Sequence, residues 1–375
     1  MKVLVVTNDF PPRAGGIQQY VHALVSRLPA GEAVVYAPAW EGAAAFDSQQ
    51  PFPVVRHGSS LMLPRGSVRR RAVEIAKSEG CDTVWFGAAA PLGLLAKPLR
   101  TAGVRRVVGS THGHETGWAM LPGARQTLRA IGGQSDVITY ISEYTRRRIG
   151  GAFGRARLEW VPPGVDVSVF HPGVDGSGIR ARHRLGSRKV VVCVSRLMPR
   201  KGQDMLIRAL PDVRRVVPDA ALLIVGGGPD MPRLQRLAVD CEVADHVRFA
   251  GSVPWEELPA HYAAGDVFAM PCRTRFAGID VEGLGIVYLE AAAVGLPVVA
   301  GRSGGAPESV RDGETGLVVD GTEVRQVAEA VGELLVDEAR SAAMGAAGRA
   351  WVEKDWQWDV IAADLRRILA DYSPS

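Results

Sequence analysis

The chain has 375 residues, 47% of them hydrophobic and 22% charged, enough for two domains with ordinary cores, which excludes a disordered tail, a collagen-like chain or a small fold dependent on disulfide or metal staples. No apolar run approaches the roughly 20 residues that a bilayer-spanning helix needs, residues 1–8 turn polar too soon for a signal-peptide core, and Cys81, Cys193, Cys241 and Cys272 are scattered without a CxxC pair, so a cytoplasmic protein with free thiols is expected. The net charge of +4 hides an asymmetry: residues 1–170 hold 20 Lys/Arg against 12 Asp/Glu, and residues 171–375 hold 24 against 28, so the first half either meets an anionic surface, nucleic acid or acidic lipid, or simply carries solvated basic faces.

Residues 2–7 are a short apolar run, the pattern of a parallel strand buried on both faces. A Pro/Gly loop over 10–16 follows, then a helical pattern over 17–28 with Tyr20, Val21, Leu24, Val25 and Leu28 on one face. Strand patterns recur at 33–37, 83–86, 106–110 and 137–141, with helical stretches at 68–79 and 91–102 between them. This alternation predicts an open, doubly wound parallel sheet. Residues 160–172 hold three prolines and no helical period, which reads as a linker. The alternation then restarts: strand 189–195, helix 203–217, strand 220–225 ending at Gly226-Gly-Gly-Pro229, helix 233–242 and strand 247–249. Further strands fall at 267–270, 297–300 and 316–319, with helices near 284–294 and 323–335. The fold class predicted is α/β, with a first domain over 1–168 and a second over 169–356. The helical segment from about 357 to 375 is expected to pack back on the first domain. Two such sheets imply a cleft, with ligands outside the carboxyl ends of the strands.

Four motifs sit in those loops. Gly15-Gly16 stands between the first strand and first helix, where backbone amides can approach an anion, or where the chain simply makes a tight turn. It is not G-x-G-x-x-G, which disfavours a dinucleotide enzyme. Arg196 and Lys201, with Gly202 beside them, place a forked guanidinium and a point-like ammonium at a strand end and a helix start. That suits a diphosphate, or describes a solvated basic loop. Glu282 and Glu290, eight residues apart, bracket a Gly-x-Gly turn. Carboxylates there can accept from sugar hydroxyls, and the amides of 283–286 can receive negative charge. Ser110-Thr-His112-Gly-His114-Glu115 offers His112 for a sugar hydroxyl or for proton movement, with a structural role for His114. A metal is not expected, since HxHE lacks a third ligand at a known spacing.

These motifs, in this order and spacing, resemble the retaining GT-B glycosyltransferases of family 4 over nearly the whole chain. The stretches Val5-Val-Thr-Asn-Asp-Phe-Pro-Pro, Trp85-Phe-Gly-Ala-Ala-Ala-Pro, Ser110-Thr-His-Gly-His-Glu, Asp280-Val-Glu-Gly-Leu-Gly-Ile-Val, Arg273-Thr-Arg275 and Met344-Gly-Ala-Ala-Gly-Arg349 are similar to an actinobacterial subgroup. That subgroup moves mannose from GDP-mannose to phosphatidylinositol monomannoside through an α-1,6 linkage. The resemblance implies two Rossmann-like domains facing each other across a cleft. It also implies donor contacts: Gly16 on the donor phosphate, Arg196, Lys201 and Gly202 at the diphosphate, Glu282 at the mannose, Gly283, Leu284, Gly285 and Ile286 on the donor beside it, Glu290 at the ribose, and Gly251, Ser252 and Val253 at the guanine. His112 would lie near the transferred sugar, Arg196, Lys201 and Glu282 would join it in catalysis, and Gln18 and His114 would face the acceptor. Leu284 departs from the wider family, where a phenylalanine is common.

The resemblance implies a front-face reaction, because both glutamates are assigned to binding and no carboxylate nucleophile remains. No Asp-x-Asp triplet occurs, and the cations suffice for the diphosphate, so no metal or other cofactor is expected. The basic clusters at 69–71, 105–106 and 146–148 suggest peripheral attachment to an anionic membrane, on the inner face of the plasma membrane. The competing readings are a glycosyltransferase of this fold with another sugar nucleotide or a soluble acceptor, and a nucleic-acid-binding protein. The last is disfavoured because the arginines lack interleaved aromatics.

Overall fold

A computed structural model describes residues 1–372 and divides the chain into two compact units, Met1–Gly164 with the chain from Trp358 onward, and Val165–Gln357. The first unit holds a seven-stranded parallel sheet in the order β3-β2-β1-β4-β5-β6-β7. Its strands are β1 (Val3–Val6), β2 (Ala33–Pro38), β3 (Val54–His57), β4 (Thr83–Phe86), β5 (Arg106–Ser110), β6 (Val137–Tyr140) and β7 (Arg157–Trp160). The second unit holds a six-stranded parallel sheet in the order β10-β9-β8-β11-β12-β13. Those strands are β8 (Val190–Val194), β9 (Ala221–Val225), β10 (Val247–Gly251), β11 (Val267–Met270), β12 (Val298–Gly301) and β13 (Gly316–Val319).

The apolar runs explain the layers. Successive residues of a strand point to opposite faces, so β1 gives Val3 and Val5 to one core and Leu4 and Val6 to the other, all four without exposed surface. The first core is closed by the helices Gly16–Val25 and Trp358–Ala370, the second by Gly66–Ser78 and the segment from Leu92 to Leu99. In the second unit the helices Gln203–Val216 and Val324–Val336 pack together against the sheet.

Strand order reverses between β1 and β4 in one sheet and between β8 and β11 in the other. These are the topological switch points, where loops diverge to opposite faces and leave a crevice at the carboxyl ends. The loops after β1, β8 and β11 carry the Gly15-Gly16, Arg196/Lys201 and Glu282 motifs.

Three features depart from the sequence pattern. The edge strands β3 and β7 are only partly buried and alternate too briefly to read as strands. The stretch 91–102 is a single 3₁₀ turn, Leu92–Leu95, followed by the helix Ala96–Thr101. The helix Glu338–Asp355 is rich in Ala and Gly and has no apolar stripe to announce it.

The chain crosses between units at Gly164/Val165 and returns at Gln357/Trp358, beside the breaks at 168/169 and 356/357 read from composition. The closing helix spans Trp358–Ala370, and positions 373–375 of the expected segment lie outside the described residues. Arg106 on β5 anchors this helix: its buried guanidinium donates twice to the Ile368 carbonyl, at 3.1 and 2.9 Å, and lies 3.9 Å from Asp371. Arg106→Met is expected to cost the first unit about 1–3 kcal/mol by leaving the Ile368 carbonyl without its donor, while Asp371 keeps its 2.9 Å pair with Arg157. A urea unfolding midpoint unchanged from the parent would contradict this.

Candidate active site

In the second unit the site is assembled from loops that close-packed glycines hold together. After β8 the chain passes through Ser195 and Arg196 to a single 3₁₀ turn, Pro199–Lys201, and Gly202 opens the helix Gln203–Val216. Gly202 has φ +79, and a Cβ there would collide with the Pro271 carbonyl, so no other residue fits. Cβ atoms on Gly226 and Gly228 would likewise strike the carbonyls of Ser195 and Leu197. The loop bearing Arg196 is fixed by the amides of Ser195 and Leu197, which donate to Val225 and Gly227. Gln203 Nε2 donates to Ser195 Oγ at 2.7 Å and to the Arg196 carbonyl at 3.2 Å.

The two cations are not equivalent. Lys201 Nζ donates to Glu282 Oε2 at 2.6 Å, with side chains only 12% and 10% exposed. Arg196 is exposed and its guanidinium has no ion-pair partner among the described residues. Glu282 is held from behind: its carbonyl accepts from the Gly305 amide at 2.9 Å, and Gly304 lies too close to it to bear a Cβ. Ahead of it, Asp280 pairs with Arg200 at 3.3 Å and with Arg275 at 3.5 Å.

Gly285, at φ +89, opens the helix Ile286–Val294, whose first amides have no intrahelical acceptor. Leu284 is buried and its carbonyl accepts from Ser309. Five residues into that helix, Glu290 accepts a 2.6 Å hydrogen bond from the Tyr262 hydroxyl. Burial pushes its pKa up to about 7 although Tyr262 pulls it down, and the residue keeps some accessible surface. On β10's end Gly251, at φ +73, accepts from the Gly226 amide, with exposed Ser252 and half-buried Val253 following.

In the first unit Gly16 begins the helix Gly16–Val25. A Cβ on Gly16 would meet no protein atom within 4 Å, and its φ is not positive, so neither packing nor backbone conformation demands glycine there. Gln18 is buried, and its Nε2 donates to Asp9 at 2.9 Å. His112 Nε2 lies 2.6 Å from the Gly87 carbonyl, which can only accept. The proton therefore sits on Nε2 and Nδ1 keeps a free lone pair. Burial lowers the His112 pKa, against the opposing pull of Glu115, so the ring is neutral near pH 7. Glu115, fully buried, accepts from the amides of His112 and Gly113 at 3.0 and 3.1 Å, and exposed His114 stands 3.3 Å from it.

The structure thus brings Lys201 and Glu282 into contact, ties Glu290 to Tyr262 instead, and leaves Arg196 free. Sequence reasoning missed Tyr262, the clamp formed by Gly226–Gly228 and the backing loop Ser303-Gly304-Gly305. The glycine runs after strand patterns were the available signal for the last two. No group of three or more His, Cys, Asp or Glu side chains able to hold a metal occurs among the described residues, and no helix there is long and apolar enough to cross a membrane.

Residues 14–169 match the model of Glycosyltransferase Family 4, and residues 178–351 that of Glycosyl transferases group 1. The chain is 59% identical over 374 residues, 98% of each chain, to the GDP-mannose-dependent alpha-(1-6)-phosphatidylinositol monomannoside mannosyltransferase of Mycolicibacterium smegmatis. The chain belongs to the family 4 glycosyltransferases. A second relative of this glycosyltransferase, at 50% identity over 98% of this chain and 97% of its own, is the GDP-mannose-dependent monoacylated alpha-(1-6)-phosphatidylinositol monomannoside mannosyltransferase of Corynebacterium glutamicum. Among solved structures, Anabaena HepE in complex with UDP and glucose superposes with a TM-score of 0.80 at 21% identity, covering 99% of this chain and 100% of that one. Sucrose-phosphate synthase from Thermosynechococcus elongatus gives 0.78 at 22%, covering 98% of each. The fold is GT-B.

The raised Glu290 pKa has a consequence for stability. Between its ordinary value of 4.5 and about 7, the folded glycosyltransferase keeps a proton that the unfolded chain has released, so stability falls as pH rises through that window and levels off above it. Glu290→Gln is expected to remove about 1–3 kcal/mol of this pH dependence, read from urea unfolding at pH 5 and pH 8. Parallel pH dependence in both proteins would refute it.

Proposed function

We propose that the protein is a retaining α-mannosyltransferase that moves mannose from GDP-mannose to phosphatidylinositol monomannoside, forming an α-1,6 linkage. The full-length identity to the Mycolicibacterium smegmatis enzyme carries this reading; the site geometry supplies its chemistry. An ammonium has three N–H donors. Lys201 spends one on Glu282 and keeps the others for diphosphate oxygens. Arg196, with no carboxylate of its own, adds a forked cation. Together with the amide of Gly16, which the fold leaves uncovered, they neutralise the departing GDP, so that the enzyme works without a metal. Glu282 accepts from mannose hydroxyls, aided by the turn Gly283–Leu284–Gly285–Ile286. Glu290 accepts from the ribose, and Gly251, Ser252 and Val253 border the guanine. His112 offers its bare Nδ1 to a hydroxyl of the transferred sugar, and Gln18 and His114 serve the acceptor side.

Retention belongs to the family reading, and the carboxylates bear on the route by which it is reached. Glu282 is committed to Lys201 and Glu290 to Tyr262, so neither is a free nucleophile for a double displacement. The acceptor hydroxyl attacks from the face that GDP leaves, and the leaving diphosphate takes its proton. Catalysis is orientation plus electrostatic stabilisation of the leaving group. Lys201→Ala and Arg196→Ala are each expected to lower kcat roughly 10²–10³-fold, with chelators without effect on the parent. Mass spectrometry of the product from GDP-mannose and mannosylated phosphatidylinositol tests the reading directly: release of UDP from UDP-sugars, or transfer to soluble sugars alone, would replace it, and undiminished kcat would remove either residue from the mechanism.

Peripheral attachment to the anionic inner face of the plasma membrane is part of this reading. Asn8 exchanges two hydrogen bonds with the Met62 backbone, at 3.0 and 2.8 Å, and Met62 is fully buried. That anchor turns Leu61 and Leu63 outward, 57% and 37% exposed, beside exposed Arg65, Arg69, Arg70 and Arg71. Apolar tips followed along the chain by exposed arginines suit an acidic bilayer, each basic residue at the surface adding about 1 kcal/mol. Binding to phosphatidylinositol-containing vesicles is expected to fall with salt and to drop about tenfold or more in Leu61→Asp/Leu63→Asp. Equal, salt-independent binding to neutral vesicles would contradict it.

A further inference from the structure

Two loops leave the carboxyl edge of the first sheet side by side, one after β1 and one after β2. Arg13 on the first places its guanidinium 5.3 Å from the ring centre of Trp40 on the second. Both are exposed, Trp40 by 43%, and Arg13 has no ion-pair partner among the described residues. Neither side chain contributes to a core, yet the fold holds both in place. Arg56, on edge strand β3 and 14% exposed, donates to the carbonyl of Pro11 at 2.6 Å on one loop and to that of Pro38 at 3.0 Å on the other. Its remaining donors grip both carboxylate oxygens of Asp47, at 2.7 and 3.0 Å, and its face covers the Phe10 ring. A Cβ on Gly42 would come within 3.9 Å of Pro12 Cγ, so the loops run close together there. One half-buried guanidinium thus staples together the two segments that present the exposed pair.

We propose that Arg13 and Trp40 form the subsite for the acceptor headgroup, taking a sugar or inositol ring on the indole and the adjoining phosphodiester on the guanidinium. The electron-rich indole face suits the C–H face of a polyhydroxylated ring. Stacking occupies only the face of a guanidinium and leaves its in-plane N–H groups to meet phosphate oxygens two at a time. An exposed aromatic on an anchored segment, with an uncompensated cation beside it, selects a ring that carries a phosphodiester over either alone. The assignment to the acceptor rests on the mannosyltransferase reading, in which Arg196 and Lys201 already serve the donor phosphates.

The test uses glycerophosphoinositol monomannoside, the water-soluble headgroup without acyl chains, so that membrane binding plays no part. Its affinity for the parent, Trp40→Ala, Trp40→Phe and Arg13→Ala is measured by calorimetry without donor, and KM for lipid acceptor and for GDP-mannose by steady-state kinetics. Trp40→Ala and Arg13→Ala are expected to weaken headgroup binding and raise acceptor KM about 5–30-fold, with Trp40→Phe recovering most of the loss and KM for GDP-mannose within about twofold of the parent. Unchanged headgroup affinity, or a rise confined to donor KM, overturns the proposal. Parent enzyme that transfers mannose while Trp40→Ala behaves identically sinks the subsite alone. Parent protein that binds the headgroup through Trp40 yet transfers no mannose sinks the functional reading and leaves the subsite standing.

Discussion

The second unit's chemistry turns on the 2.6 Å contact between Lys201 and Glu282. It joins the loop after β8 to the loop after β11, the two strands on either side of the switch point. Removing two charges from water is costly, and the pair is tolerable because each charge cancels the other in a weakly screening environment. Neither partner is therefore replaceable on its own without leaving an uncompensated charge in the crevice. The pair also sets the division of labour with Arg196. The Lys201–Glu282 pair keeps N–H donors but carries no net charge as a unit, whereas the lone arginine brings a positive charge without a neighbouring carboxylate.

The glycines of the site fall into two groups with different physical causes. Gly202, Gly226, Gly228 and Gly304 are required by the protein itself, because backbone carbonyls of neighbouring loops occupy the space where a Cβ would stand. They let loops from adjacent parallel strands stack at van der Waals distance and make the crevice rigid without large side chains. Gly16 has no such obligation: its Cβ position is empty and its φ is unexceptional. Gly58, Gly117, Gly123 and Gly178 are as little constrained; Gly16 differs from Gly58 in opening a long helix, whose N-terminus favours an anion.

This distinction marks how far the sequence alone could be read. Buried parallel strands such as β1, β8 and β9 were legible because both faces are apolar, and the motif loops were legible because glycine and charge punctuate them. The edge strands β3 and β7 were not, since a strand with one neighbour needs little apolar surface. Ion pairing was also hidden. Lys201 and Glu282 lie 81 residues apart, Tyr262 and Glu290 28, and Arg106 and Ile368 262. Such contacts depend on which strands become neighbours, and local periodicity carries no record of that. The sequence offered both Glu282 and Glu290 as acceptors for sugar hydroxyls, one for the mannose and one for the ribose; their partners, an ammonium for one and a phenol for the other, make them electrically different.

That difference constrains where a proton can travel. Glu282 has its Oε2 taken by the Lys201 ammonium at 2.6 Å, which leaves Oε1 to accept hydrogen bonds. Glu290 has a raised pKa, and Tyr262 occupies its Oε2, leaving Oε1 for the ribose hydroxyls that the proposed reaction gives it. His112 has one nitrogen committed to the Gly87 carbonyl, and its lowered pKa makes it a weak base at neutral pH. Glu115 reinforces this arrangement by gripping the amides on either side of the His112 carbonyl, fixing the ring's attachment without touching its free nitrogen. With Glu282 bonded to Lys201, Glu290 to Tyr262 and the His112 pKa lowered by burial, the proposed reaction assigns the proton of the attacking hydroxyl to the diphosphate as it departs. A scaffold of this kind gains rate by holding cations and dipoles still around that leaving group, which is why its precision resides in stapled loops and not in a relay of titrating residues.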